Sequence, residues 1–450
     1  METKTNNMIT NAHLYNSPTP DEITIVASGI GTDGPDADRK VIPATVFREL
    51  KECNFNAAHL NGNIDIEAKK TALIASLGNA IDKTNNWYIS IIAGCYFFNL
   101  NHAINPETDL QRAKDFFDFF KDNPHTEYAS AIKGWMMRDE PTAEMIQETG
   151  VGYNLKTIYD YIRTNDRQER PIQINLLGGM GKGNEAKYKE YLDTFETNFD
   201  PNLWSYDLYP ITQDSCLINN VCNADNCKLT VEHGTFYDDL KTFHEQSKAT
   251  GGVFWAHVQS MEYINGTLYH PAALESYIRF EAFSALAFGA QGIVYWTYRQ
   301  RSNSDSEVYP SALVDRNGNR MPAWYFARQV NSEILQYSGV FVDSELMKWT
   351  HVGEGYGQPV INQSIGALGG ITASGIGALI TQLRTNGKNY IVIVSHDVEE
   401  YQTLDMTFAS MNVVELTPAT SRGGHFKEKQ IEARSIRRQL IPGGYMIFRY

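Results

Sequence analysis

The stretch "IKGWMMRDEP", residues 132–141, runs apolar through Trp135, Met136 and Met137, turns acidic at Asp139 and Glu140, and stops at Pro141. A strand delivering an acidic pair to the mouth of a barrel reads this way. So does an ordinary strand followed by a helix N-terminus, where the macrodipole favours negative charge. The rest of the chain separates the two. Seven further short apolar runs begin at Ile23 ("ITIVASGI"), Phe55 ("FNAAHLNG"), Trp87 ("WYISIIAGCYF"), Pro171 ("PIQINLLGG"), Leu203 ("LWSYDLYP"), Gly252 ("GVFWAHVQ") and Gly292 ("GIVYWTYR"). Amphipathic stretches such as "VFRELKECN", "LQRAKDFFDFFKD", "NLKTIYDYIRTN", "EAKYKEYLDTFETN" and "LESYIRFEAFSALAFGA" separate them, and "PAWYFARQVNSEILQYSGVF" follows the last. Eight strand–helix units over about 320 residues predict an α/β fold, a closed (β/α)8 TIM barrel in preference to an open doubly wound sheet.

From Leu346 the apolar period changes. "IGALITQLRTNGKNYIVIVSHD", "QTLDMTFAS" and "YMIFRY" read as strands, and "TNGK" carries the Asn-Gly hairpin signal. The expected organisation is a flexible polar segment over residues 1–20, a catalytic barrel over 21–345, and a smaller antiparallel β-sandwich-like domain over 346–450.

The chain has 450 residues and a formal net charge of −14, which argues against nucleic acid or an anionic membrane surface as partner. Aromatic residues make up 12%, with 25 Tyr, which suits sugar stacking and equally suits a large core. No run is long and apolar enough to span a bilayer. The opening "METKTNNMITNAHLYNSPTPDE" has no apolar signal core, and the expectation is a periplasmic or secreted bacterial protein whose signal peptide is absent from this sequence, with the cytoplasm as the alternative. Cys216, Cys222 and Cys227 fall in "SCLINNVCNADNC", compatible with a disulfide or with free thiols, but not spaced like a Cys-x-x-Cys zinc site. No phosphate loop, Gly-x-Ser-x-Gly elbow or His-Glu-x-x-His motif occurs, so neither a cofactor nor a metal is expected.

In such a barrel the active site lies at the C-terminal ends of the strands, so the polar residues there are the candidates. Strict alternation would put Met136, Arg138 and Glu140 on one face of the fourth strand and Trp135, Met137 and Asp139 on the other. By the same reading Ser205, Asp207 and Tyr209 share a face on the sixth strand, as do Trp255, His257 and Gln259 on the seventh. The second strand offers His59 and Asn61.

Asp139-Glu140-Pro141 at the end of the fourth strand resembles the Asn-Glu-Pro of glycoside hydrolase clan A. "YDLYP" (206–210) is similar to the sixth-strand Asp-x-Tyr-Pro of some bacterial barrel glycosidases, and "RFEAFSALAFGAQGIVYWTYR" (279–299) to the segment that closes such barrels. A C-terminal β-domain ending in a Pro-Gly turn like "IPGGYMIF" is common in them as well. The resemblance covers nearly the whole chain in layout and rests on short motifs. It implies a glycoside hydrolase with a carbohydrate substrate, acting with retention, with Glu140 as general acid/base. It also implies a nucleophilic Glu ending the seventh strand, where this chain has Gln259, with Glu262 three residues on. Glycosidic cleavage needs one carboxylic acid at the leaving oxygen and a second carboxylate opposite. Glu262 and Asp207 are the candidates for the second, Asp207 also as base of an inverting reaction. The alternative is a glycan-binding barrel without turnover. Asp139 replaces the family's Asn and can accept but not donate when ionised. Asp139, His59, Asn61, Tyr209, Trp255, His257, Gln259, Tyr295 and Trp296 are the candidate sugar contacts. A satisfied core role is as plausible for the histidines, and a core role for about half of the aromatics.

Overall fold

A computed structural model describes residues 22–31, 40–62, 67–82, 87–95, 106–121, 131–147, 151–179, 184–214, 229–266, 268–304, 306–356, 360–361, 364–419 and 426–450. The stretch containing Cys216, Cys222 and Cys227 and the polar segment 1–20 lie outside these residues.

Eight parallel strands close into a barrel: β1 (Thr24–Ala27), β2 (Ala57–Gly62), β3 (Ser90–Cys95), β4 (Ile132–Asp139), β5 (Ile172–Leu177), β6 (Leu203–Asp207), β7 (Val253–Gln259) and β8 (Gly292–Trp296). Other elements are given by residue range. Closure comes from β1 pairing with β8, Thr24 beside Gly292 through Ala27 beside Tyr295. Each expected apolar run supplies one barrel strand. The third run divides: Trp87–Tyr88 forms a separate two-stranded ladder with Ile81–Asp82, and the barrel strand starts at Ser90.

The strands are apolar on both faces because helices cover the outside and side chains fill the inside. Val26, Ala57, Ile92, Leu203, Val253, Trp255 and Val294 form the floor, with Met136 against them. Trp255 fits because its neighbour is Gly292, where a Cβ would sit 2.4 Å from the indole ring. Outward residues such as Ile25, Trp135, Ile174, Trp204, Phe254 and Ile293 join the main core with the helices. Trp135 anchors β4 from outside: its Nε1–H donates to Asp166 at 2.9 Å, and Asp166 also takes two hydrogen bonds from Arg170.

Strands from Glu345 onward form a six-stranded and a four-stranded antiparallel sheet enclosing Ile371, Ile380, Ile391, Leu404, Phe408 and Phe448. The Asn-Gly hairpin forms as expected, with Asn386 at φ 49° and Gly387 at φ 73° joining Ala378–Thr385 to Lys388–Ser395. Helix Glu275–Ala287 is buried from Tyr277 to its end, because it lies between the barrel and these sheets. Phe283 stacks on Tyr445 at 3.6 Å, and Arg279 pairs with Glu333 of helix Pro322–Gln336.

One feature was not visible as strands in the sequence. Segments following β6 (Ile211–Asp214, Leu229–Val231), β7 (Glu262–Asn265, Leu268–His270) and β8 (Glu307–Ser311) assemble into a five-stranded antiparallel sheet beside the barrel mouth.

Candidate active site

The site begins at a bulge. Met136 pairs with Gln173 and Arg138 with Ile174, so β4 carries one residue more than β5 over this span. Bulges re-aim side chains next to functional sites. Here Met137 turns outward into the helix-side core and Asp139 comes level with the inward-facing Asn175. Strict alternation, which placed Asp139 with Trp135, fails at this position. Glu140 follows at φ 42°, left-handed for a non-glycine residue, with its N–H donating to Asn175 O at 2.8 Å. That conformation costs roughly 1–2 kcal/mol. It turns the chain at the strand end, where the Glu140 carboxyl meets that of Asp207 on β6 in a direct hydrogen bond.

Beneath the acids lies a polar layer spanning the barrel. The Asn175 amide donates to Asp139 Oδ1 at 2.9 Å and to Asp207 Oδ1 at 3.1 Å. Ser205 Oγ donates to Asn175 Oδ1, fixing which end of the amide faces up. The Gln173 amide donates to Ser205 Oγ at 2.9 Å and to His257 Nε2 at 3.3 Å, while His59 Nε2–H donates to Gln173 Oε1 at 2.7 Å. His59 Nδ1 in turn meets Ser28 Oγ. Both histidines are neutral in this layer: burial pushes His59 down to about 4 and His257 well below the usual range.

The electrostatics of the acids follow from enclosure and like charge. Asp139 and Glu140 remain open to solvent at the rim of a concave mouth, yet protein surrounds their carboxyls. Desolvation, followed by the charge of Asp139, raises the pKa of Glu140. Desolvation and the charges of Glu140 and Asp139 raise Asp207 well above the carboxylate range. Two carboxyls in hydrogen-bond contact cannot both ionise, so the pair holds one proton in common and titrates as a unit. Asp207 is the more deeply enclosed member and keeps that proton one hydrogen bond from Glu140. Such a pair can donate a proton and take it back.

The geometry sorts the sequence candidates. Asp139, Glu140 and Asp207 come together. His59 and His257 lie under them, each 7% exposed, and act as supports, not as ligands of sugar hydroxyls. Asn61 is exposed at the top of β2, its amide lying over Gly94, where a Cβ would stand 2.2 Å from Asn61 Oδ1. Trp255 is fully buried in the floor, below the reach of a substrate, which corrects its assignment as a sugar contact. Tyr295 is corrected likewise: it faces outward on β8 and its OH donates to Asn331 of helix Pro322–Gln336. Trp296 is half-buried at the end of β8, with the Arg301 guanidinium over its ring at 5.6 Å and a cis bond to Thr297. Gln259 is fully buried, its amide donating to Pro271 O at 2.7 Å. Tyr209, two residues past Asp207, packs edge-on against His270 of the five-stranded sheet. Glu262 lies in that sheet, accepting from Tyr269 OH at 3.0 Å and Ser311 Oγ at 3.1 Å. Among the described residues no cluster of metal-ligating side chains occurs.

Sequence reasoning missed Gln173, Asn175 and Glu307. The first two were detectable as the alternating polar pair inside "PIQINLLGG", since two amides on one face of a barrel strand must find partners inside.

Residues 151–337 match the model of a glycoside hydrolase family, GH42, described as beta-galactosidase. Over β5 to β8 the chain is therefore similar to that family. Among solved structures, a catalytic mutant of a GH42 β-galactosidase from G. stearothermophilus matches at TM-score 0.56 and 8% identity, over 95% of this chain and 98% of that one. A β-galactosidase from Bacillus circulans sp. alkalophilus matches at 0.51 and 9%, over 95% and 99%. A β-galactosidase from the psychrophilic Marinomonas ef1 matches at 0.48 and 11%, over 70% of this chain, which spans 60% of that protein's length. At these identities the first two structures speak for the fold alone. No curated protein matches the sequence. The matched segment includes β5 to β8, and so Asn175, Asp207 and Gln259, but ends short of Glu140 on the N-terminal side.

Proposed function

We propose that this glycoside hydrolase barrel cleaves O-glycosidic bonds of an oligo- or polysaccharide with retention, Glu140 acting as acid/base and Asp207 as the partner that shares its proton. The observation that carries this is the Glu140–Asp207 hydrogen bond at the C-terminal mouth, seated on Asn175. Glu140 would protonate the leaving oxygen, and Asp207 would keep that proton available at neutral pH, where an isolated glutamate is ionised. Direct contact between the two carboxyls disfavours the inverting alternative, which needs about 6.5–9.5 Å between acid and base to admit a water. The β-galactosidase description of the matching family makes β-galactosides the first substrates to try. Gln259 in place of a seventh-strand carboxylate favours the second reading, a glycan-binding barrel without turnover.

The test is hydrolysis of a panel of aryl glycosides and polysaccharides, beginning with β-galactosides, by wild type and Glu140→Gln. The anomer first released is read by NMR. Activity that falls in Glu140→Gln, most steeply for poor leaving groups, supports the reading. Glycan binding by a wild type that cleaves nothing replaces it with the binding protein.

A further inference from the structure

We infer that Glu307, on the strand Glu307–Ser311 after β8, is the carboxylate that works opposite Glu140, as nucleophile of the retaining reaction. This rests on the hydrolase reading above and names the group that reading leaves open at the seventh strand.

Side chains alternate across a strand, and paired residues share a side. Tyr263 pairs with His270, and Asn265 with Glu307. Tyr263, Asn265, His270, Glu307 and Tyr309 therefore share one face, and Glu262 lies on the other. Contacts agree: the Tyr263 ring is 5.9 Å from that of His270 and 5.1 Å from that of Tyr309. The first face meets the mouth, because His270 packs against Tyr209, two residues beyond Asp207. A continuous line of contacts thus runs from the Glu140–Asp207 pair through Tyr209, His270 and Tyr263 to Glu307.

On this face Glu307 is held as a reacting group needs to be. Tyr263 OH donates to its Oε1 at 2.9 Å and Tyr309 OH to its Oε2 at 3.4 Å, while Asn265 steadies Tyr263 from the side. Its backbone N–H is fixed by Ser304 Oγ at 3.0 Å. Two phenols orient the carboxylate without neutralising it, as a lysine or arginine would. Its negative charge acts on Glu140 and adds to the forces that keep a proton there. Glu262 is held in a similar way, by Tyr269 and Ser311, but it lies on the face turned away from the mouth.

The reaction balances with these two groups. A Glu307 oxygen attacks the anomeric carbon while the bond to the leaving oxygen breaks and Glu140 delivers its proton there. The product is a glycosyl ester of Glu307 and a free alcohol. Water then attacks the anomeric carbon, Glu140 takes its proton, and the ester C–O bond breaks to return the Glu307 carboxylate.

The experiment uses whichever aryl glycoside the wild-type chain cleaves. Glu307→Gln is expected to lower kcat by about 10³-fold or more. Glu307→Gly with sodium azide should form a glycosyl azide of inverted configuration, and Glu140→Gly with azide one of retained configuration. A 2-deoxy-2-fluoroglycoside carrying the same sugar and an activated leaving group should label the wild-type peptide that contains Glu307, a readout independent of any variant's folding. A Glu307→Gln enzyme within tenfold of wild type, or a label on Glu262 or another carboxylate, overturns the inference and leaves the hydrolase reading standing. A wild type that cleaves no glycoside removes that reading, and this inference with it.

Discussion

Two clusters of partly or wholly desolvated titratable side chains sit at different places in the molecule and meet the same physics with opposite sign. At the barrel mouth are Asp139, Glu140 and Asp207. At the seam between helix His233–Thr250 and the C-terminal sheets are His233, His351 and His396, with Tyr237 OH hydrogen bonded to His396 at 2.9 Å and His351 to His396 at 3.1 Å. Desolvation disfavours charge in both. The acids respond by holding protons, and the histidines by shedding them: burial pushes His233 and His351 down to about 4 and His396 well below the usual range. Only one cluster is open to solvent. The seam is packed aromatic against aromatic, whereas the mouth leaves Asp139 and Glu140 exposed to an arriving ligand. Shifted titration therefore does not identify a site by itself; a shifted group that a ligand can reach does.

A carboxyl whose folded pKa is raised binds its proton more tightly in the native state, so its cost to stability is absent below the unfolded value and grows as pH rises through the folded one. A histidine whose folded pKa is lowered costs nothing above about 6.5 and destabilises increasingly as pH falls toward its folded value. Together the clusters place maximum stability near neutrality or slightly below.

The sharpest way to break the comparison is Glu140→Gln, which should lower kcat/KM by about 10²–10⁴-fold toward poor leaving groups and less toward activated ones. Equal loss for both would show that Glu140 is no proton donor. Asp207→Asn comes next, with a loss of about tenfold or more in kcat/KM. It should also move the alkaline limb of the pH–rate profile to lower pH, because the carboxyl pair that holds the shared proton is broken. An unmoved limb would separate Asp207 from that proton. At the seam, thermal unfolding should show stability falling by a few kcal/mol between pH 6.5 and 4, by linkage over three histidines. In His396→Gln that slope should flatten while the melting temperature at pH 7 also drops; an unchanged slope would assign the acid sensitivity elsewhere. The smallest expected effect is on stability in Glu140→Gly, which should stabilise the fold at neutral pH by about 1 kcal/mol while slowing turnover as Glu140→Gln does, since it removes both the left-handed strain and a charge beside Asp207. Destabilisation would mean the Glu140–Asp207 bond contributes more than the strain costs.

The eight barrel strands were readable because each is buried on both faces and so appears as a continuous apolar run. Glu140 was readable from its place at the end of the fourth run. Its partner in the mouth was named among several, and the bulge that turns Asp139 inward was not visible, since an extra residue in β4 is defined only against β5. The five-stranded sheet escaped because strands such as "ITQD", "LTV" and "EYIN" are short and polar, and pair across segments far apart in the chain.

The sequence by itself determined the barrel, the antiparallel region after it and the acidic end of the fourth strand, because periodic burial and local turn chemistry are written in consecutive residues. Only the tertiary structure decided which acids meet, that His59 and His257 lie beneath them, and which face of the overhanging sheet carries Glu307. Those facts depend on registers between strands brought together by closure, and register is a relation between segments that no single segment encodes.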